Sequence, residues 1–268
     1  MIRDSRRDAT YFNKLLIDLD IALQETQQAL DDEVFTSISL QVDAAQQLFQ
    51  LSIMRAVAHY SAGSEIPTIK TAVLAILDYR RQLSSTADKL PPAHQCYRYD
   101  FEKLGEWGDA CGSANVNRYV YVLWWLTLLT ACDVEQSHID SVLGLVCVDE
   151  NDALLARITS KLGRVNTAFP DNLYYPETYQ SLYDAITASP LEQSALLGKF
   201  INEWYDSLEE ADWYESHDCD CEFVYTDYYI GYWCFEAALI INLFNIPNTL
   251  VEHELYPKDL VFNYNIKY

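Results

Sequence analysis

The sequence predicts an all-α protein, a multi-helix bundle of antiparallel helices in which an N-terminal helical part packs on a larger C-terminal helical part. Glycine and proline are scarce, with 8 of each in 268 residues, which disfavours a β-sandwich or barrel with many tight turns. Hydrophobic residues make up 50% of the chain, enough for a buried core. Apolar residues recur at three- and four-residue steps, the spacing of one helix face, and no useful strand alternation is found.

Three helices are predicted first. Residues 9–30 place an apolar stripe on one face, formed by Phe12, Leu15, Leu16, Leu19, Leu23 and Leu30. A second helix is expected over about 34–60, where the turn Ser61–Gly63 ends it. A third begins at Pro67, a residue that suits a first helical turn, and continues through Leu83. Short connections make these three helices antiparallel neighbours.

A boundary between two parts is predicted at residues 84–93, where the periodicity is lost and Pro91–Pro92 cannot continue a helix. The expected N-terminal part is 1–90, and the expected C-terminal part is 97–268. The latter begins with a short helix over 98–110.

The C-terminal part is predicted to be built on residues 119–132, which are apolar all round and contain Trp124 and Trp125, as a central buried helix would. The apolar run YYIGYWCFEAALIINLF at 228–244 is expected to form a second buried helix. Smaller amphipathic helices are predicted at 136–146, 152–162, 176–188 and 191–208.

The charge is strongly negative, at −22. It is also one-sided, since residues 119–268 hold 24 acidic and 6 basic side chains and no Lys or Arg lies between Phe200 and Pro257. DNA, RNA and anionic membranes attract Lys and Arg, so this balance argues against all three and predicts a cationic partner. The alternative is an acidic surface that only keeps the protein dispersed.

A cytoplasmic location is predicted. The 7 cysteines are an odd number scattered through helical patterns, which indicates free thiols in a reducing compartment. The N-terminal residues carry positive charge but no apolar core of a secretory signal. The longest apolar run, 119–132, is shorter than the roughly 20 residues that cross a bilayer.

Glu236 stands alone in the apolar run, where burial would raise its pKa. A structural role is favoured, with the carboxylate bonded to Tyr hydroxyls or to Lys258, because buried charges need partners. A general base would need a cleft and a second titrating group. The sequence names neither.

A group of possible metal ligands lies at 216–223, namely His217, Asp218, Cys219, Asp220, Cys221 and Glu222. A structural zinc site usually needs two spaced pairs, and this segment supplies one Cys-x-Cys, so a polar surface connection is favoured and no metal or cofactor is expected. No Ser-His-Asp order or Gly-rich phosphate loop is found, which argues against an enzyme. A metal-assisted hydrolase using His217, Asp218 and Asp220 remains the alternative.

Residues 203–227 carry 10 Asp or Glu and no Lys or Arg, and Tyr and Trp are interspersed among them. Such a segment suits an interface in which aromatic side chains hold the complex and carboxylates steer it. The candidate partner-binding residues are Asp206, Glu209, Glu210, Asp212, Trp213, Glu215, Asp218, Asp220, Glu222, Tyr225 and Asp227. The alternative places the tyrosines in the core beneath the segment.

Several segments resemble the PoNi-type immunity proteins, a family of two-part all-helical bacterial proteins encoded beside polymorphic DNase toxins. They are RDATYFNK from Arg7, HYSAG from His59, WYDSLEEADWYESH from Trp204, YYIGYWCFEAA from Tyr228 and YPKDLV from Tyr256. The HDCDCE stretch is not matched. Within the signature, Gly231, Trp233, Glu236 and Lys258 are expected to be structural.

The resemblance implies an immunity protein that binds and blocks a DNA-cleaving effector of the type VI or contact-dependent kind. Its partner would be the basic nuclease domain of the cognate toxin, with no direct contact to nucleic acid or membrane. The acidic segment would then occupy the nuclease groove as DNA phosphates do. A homodimer is left open.

Overall fold

The chain is all-helical in a computed structural model that describes residues 1–105, 116–146, 151–166, 169–218 and 229–262. The predicted fold class is thus confirmed, since these ranges contain α-helices and short 3-10 helices and no strand. The 3-10 helices are Pro92–Arg98, Asp206–Leu208, Ser216–Asp218 and Lys258–Leu260. The α-helices are α1 Ala9–Asp31, α2 Ile38–Ser61, α3 Ile66–Ala87, α4 Tyr99–Glu102, α5 Val116–Ala131, α6 Gln136–Val146, α7 Ala153–Lys161, α8 Pro176–Thr187, α9 Pro190–Trp204 and α10 Phe235–Phe244.

Helices α1, α2 and α3 form the predicted N-terminal group, with α2 packed against both neighbours. The expected apolar face of α2 is buried, including Leu48 and Ile53. Helix α2 begins at Ile38 rather than near residue 34, because the Ser37 hydroxyl accepts a hydrogen bond from the backbone of Leu40 and caps the helix there.

The stretch 84–93 was predicted to be non-helical, and this prediction is wrong for its first residues. Helix α3 continues to Ala87, since Leu83, Thr86 and Ala87 extend its buried face. The prolines then begin a 3-10 helix, followed by the single turn α4 in place of the predicted helix over 98–110. The last five residues of that predicted helix lie outside the described ranges.

Helix α5 is the central helix that the sequence predicts. Trp124 and Trp125 are both 0% exposed. The helix packs against α2 and α3 and also against α10, so it contacts helices from both sides of the predicted boundary. None of the helices in the described ranges is long and apolar enough to span a membrane.

The second buried helix is shorter than predicted. Helix α10 covers only Phe235–Phe244, and residues 229–234 have no regular structure. Gly231 has a positive φ of 107°, which interrupts any helix, and the backbone N–H of Cys234 donates to the carbonyl of Leu255 instead of to a helical carbonyl. Helix α9 also ends earlier than predicted, at Trp204, and a separate 3-10 turn follows.

Candidate partner-binding surface

Five of the predicted partner-binding carboxylates lie together on the surface after α9. The chain leaves α9 at Trp204, makes the 3-10 turn Asp206–Leu208 and continues through turns to Glu215. The side chains that it exposes, hereafter the acidic surface, are Asp206, Glu209, Glu210, Asp212 and Glu215. Asp218 closes the following 3-10 helix. The predicted site residues Asp220, Glu222, Tyr225 and Asp227 lie outside the described residues.

Trp213 was predicted to be an exposed aromatic contact, and its position in the structure corrects this. Its side chain is only 2% exposed. The indole stacks on Trp204, with ring centroids 5.3 Å apart and an angle of 16° between the planes, and it also contacts Trp124 of α5. Burying so large an apolar ring outweighs its position among charged neighbours. Trp213 therefore anchors the segment that bears the acidic surface to the core.

Backbone hydrogen bonds also hold this segment. The N–H of Asp212 donates to Oδ1 of Asn117 on α5 at 2.9 Å, and the N–H of Glu215 donates to the Tyr205 hydroxyl at 3.1 Å. The rings of Tyr205 and Tyr214 stack with centroids 4.6 Å apart. The carboxylates are thus displayed by an ordered segment whose backbone is bonded to α5 and to Tyr205, the residue that follows α9.

Four of the five carboxylates of the acidic surface are not paired with basic side chains of the described part of the chain. No Lys or Arg there forms an ion pair with Asp206, Glu209, Glu210 or Glu215, whereas Asp88, Asp100 and Asp259 elsewhere each pair with an arginine. Exposed carboxylates without a local counterion retain their negative field toward a partner.

A cleft of about 290 Å³ adjoins the acidic surface, between the end of α9, residues 253–255 and the N-terminal segment. Asp206 and Glu254 lie at this cleft, together with Tyr205 and Tyr232. Arg6 lines it as well. Sequence reasoning missed this cleft, because its lining residues come from both ends of the chain.

The N-terminal residues bind directly to the C-terminal segment. The buried carboxylate of Asp4 accepts hydrogen bonds from the Tyr229 hydroxyl and from the backbone N–H of Tyr232. Arg3 pairs with Asp259 at 2.6 Å, and the Arg7 guanidinium donates to the carbonyl of His217. Stretches that are far apart in sequence therefore meet in one network beside the cleft.

Trp233 and the residues around Gly231 connect α2 to the C-terminal segment. The indole N–H of Trp233 donates to the Ser61 hydroxyl at 2.8 Å, and that hydroxyl donates in turn to the carbonyl of Ile230. Trp233 also meets Tyr60 edge to face at 5.0 Å. The end of α2 is thereby joined to the C-terminal signature.

Glu236 is buried at the start of α10, at 1% exposure. Its Oε1 accepts hydrogen bonds from the Tyr179 hydroxyl at 3.1 Å and from the Trp204 indole at 3.4 Å. The expected tyrosine partner is therefore found. The alternative partner, Lys258, has its side chain on the surface. Burial raises the pKa of the Glu236 carboxyl to about 7.

This raised pKa predicts that Glu236 makes stability depend on pH. The ordinary pKa is 4.5, so between pH 4.5 and about 7 the folded state holds a proton that the unfolded state releases, and stability falls as the pH rises. Comparing Glu236→Gln with the wild type in urea unfolding isolates this group. We expect the stability difference to shift by about 2.5 kcal/mol in favour of the variant between pH 5 and pH 8.5. Parallel pH profiles for the two proteins would contradict it.

The metal-site alternative gains no support from the described residues, among which no group of three His, Cys, Asp or Glu side chains could hold a metal ion. The Nδ1 atom of His217 lies 2.8 Å from the Tyr232 hydroxyl. Asp220, which the alternative also uses, is outside the described ranges.

Comparison with known proteins gives a family model that matches part of the chain and a solved structure with a similar fold. No protein with a curated description matches the chain. The solved structure of protein PA2201 from Pseudomonas aeruginosa is similar, with a TM-score of 0.65 over 97% of this chain and 89% of that one. At 14% identity this likeness concerns the fold alone. Residues 150–260 match the model of the PoNe immunity proteins (PoNi), C-terminal. Residues 150–260, which include the acidic surface, most of the cleft and Glu236, are thus similar to the C-terminal part of the PoNe immunity proteins.

Proposed function

We propose that the protein is a non-enzymatic cytoplasmic immunity protein that binds and neutralises a cognate DNase toxin through its acidic surface. The observation that carries the proposal is that the family match at residues 150–260 includes the whole acidic surface. A nuclease groove is basic because it binds phosphates, so a row of exposed carboxylates can occupy it in place of DNA. Toxins of the type VI or contact-dependent kind are the expected partners.

The arrangement of the acidic surface supports rapid and tight binding. Four carboxylates that form no ion pair with the described residues, those of Asp206, Glu209, Glu210 and Glu215, create a field that attracts a basic domain over the Debye length, about 8 Å at physiological salt. The buried Trp213 and the hydrogen bond from Asp212 to Asn117 hold the segment before the partner arrives. Less conformational entropy is then lost on binding.

Charge reversal tests the proposal. In the variant Glu209→Lys/Glu210→Lys we expect the association rate with the cognate nuclease domain to fall by about tenfold at low salt. The salt dependence of that rate should also weaken. Stopped-flow mixing at several ionic strengths measures both, and survival of cells producing the toxin measures protection.

The control is Glu25→Lys/Asp32→Lys, which changes the net charge equally at exposed positions of α1 and its C-cap. This variant should retain most of the association rate. If both variants lost the same fraction of the association rate, the effect would come from the net charge of the protein and not from the acidic surface. Full protection by Glu209→Lys/Glu210→Lys would overturn the role of the acidic surface.

A further inference from the structure

The cleft beside the acidic surface already accommodates one guanidinium group, that of Arg6. The Cζ atom of Arg6 lies 5.4 Å from the centre of the Tyr232 ring, and its Nη2 atom lies 3.3 Å from Oε2 of Glu254. An arginine that stacks on an aromatic ring and pairs with a carboxylate uses the two contacts that guanidinium groups prefer. The contacts that the cleft makes with Arg6 are therefore those by which proteins bind arginine side chains.

Carboxylates outnumber guanidinium groups at the cleft. Arg6 also lies 3.7 Å from the buried carboxylate of Asp4, so Asp4 and Glu254 share one guanidinium. Asp206, at the same cleft, forms no ion pair with the described residues. The Glu254 side chain is 77% exposed and can turn toward a second cation.

His253, at the same cleft, adds no fixed positive charge that would repel a second cation. Nδ1 of His253 accepts a hydrogen bond from the backbone N–H of Leu255, which requires a neutral acceptor nitrogen, and burial lowers the pKa of this imidazole. Tyr205 offers a half-buried ring beside Asp206, and Ile201 and Leu255 supply apolar lining. Aromatic, apolar and acidic contacts thus surround one volume.

We propose that this cleft binds an arginine side chain of the partner, with Asp206 and Glu254 as its carboxylate contacts and Tyr205 as a stacking surface. The proposal rests on the proposed function, because the toxin supplies the arginine. It assigns the cleft a role different from that of Glu209 and Glu210, which steer the partner at long range. An inserted and paired side chain slows dissociation instead.

The first test needs no toxin. N-acetyl-L-arginine amide is titrated into the protein while the imidazole resonances of His217 and His253 are followed by NMR. We expect saturable shifts with an affinity on the order of millimolar, which corresponds to about 4 kcal/mol. The citrulline analogue, equal in shape but uncharged, should cause no saturable shift. Absence of a response to arginine, or an equal response to citrulline, would overturn the arginine site.

Matched variants locate the site. Asp206→Asn/Glu254→Gln should weaken arginine binding at least fivefold, whereas Glu209→Gln/Glu210→Gln removes the same charge outside the cleft and should leave it within twofold. If both variants weakened arginine binding equally, the binding would come from the overall negative charge. The proposal that arginine binds in the cleft would then be wrong.

The toxin domain separates this inference from the proposed function. Asp206→Asn/Glu254→Gln should raise its dissociation rate about tenfold, while Glu209→Gln/Glu210→Gln mainly lowers the association rate. Unchanged dissociation from the cleft variant would overturn the role of the cleft in the complex. Failure of the wild-type protein to bind the toxin would overturn the proposed function instead, with the arginine titration deciding separately whether the cleft binds arginine.

Discussion

Replacing Trp213 with alanine is expected to lower the free energy of unfolding by about 4 kcal/mol, the range found when a buried large aromatic ring is removed. The indole is 2% exposed and contacts Trp204 and Trp124, so its loss leaves a cavity among rings that cannot close around it. Urea unfolding at pH 7, followed by circular dichroism, measures the change.

Trp213→Phe is the control, because phenylalanine retains most of the apolar area and the stacking on Trp204. It should lose less than half as much stability as the alanine variant. A loss below about 1 kcal/mol in Trp213→Ala would match an exposed contact residue and contradict the buried position.

The same substitution has an expected effect on function. Trp213 lies between Asp212 and Glu215 in the chain, so its removal frees the backbone that displays the acidic surface. At temperatures where the variant remains folded, we expect it to associate with the toxin more slowly than the wild type does. The segment that bears the acidic surface would be disordered in the variant and would have to become ordered on binding. An exposed tryptophan that contacts the partner would instead raise the dissociation rate without loss of stability.

The helical faces could be predicted from the sequence because their periodicity is a local property. The burial of Leu48 and Ile53 on α2 and the central position of Trp124 follow directly from which residues are apolar and how they are spaced. The ends of the helices were less predictable. The start of α2 depends on one hydroxyl, Ser37, that caps the first turn.

The segment 229–234 could not be predicted, because an apolar run fits a buried helix and a buried extended segment equally well. Its conformation is decided by partners far along the chain, Ser61 on α2 and the carbonyl of Leu255. The glycine at 231 was the local signal that a helix would not pass through. The need for a positive φ at this glycine can be recognised only once the contact with Ser61 is known.

The candidate site was predicted in part. The exposure of Asp206, Glu209 and Glu210 follows from the hydration of charged groups, so composition alone indicates an acidic surface. The cleft could not be predicted, because Arg6 and Glu254 come from opposite ends of the chain. The burial of Trp213 also depends on a tertiary contact, with α5.

Gly231→Ala is expected to destabilise the protein by about 3 kcal/mol, since two costs add. A φ of 107° is a conformation that residues with a side chain rarely adopt, and a Cβ at this position would lie 2.2 Å from the Ser61 hydroxyl oxygen. Relief of that overlap must displace Ser61, and with it the hydrogen bond from Trp233. Thermal unfolding measured with and without urea gives the change in stability.

Gly198→Ala provides the matched control, with an expected effect of opposite sign. Gly198 lies inside α9, its φ is not positive, and an added Cβ would meet nothing within 4 Å. Alanine there should raise stability by about 0.5 to 1 kcal/mol, because it restricts the unfolded chain and favours the helix. If Gly231→Ala were as stable as the wild type, the turn at 231 would not hold α2 to the C-terminal signature. The N-terminal helices would then be attached to the rest of the chain by α5 and by the contacts of Asp4 and Arg7. The cleft that Arg6 and Glu254 line would not require this turn.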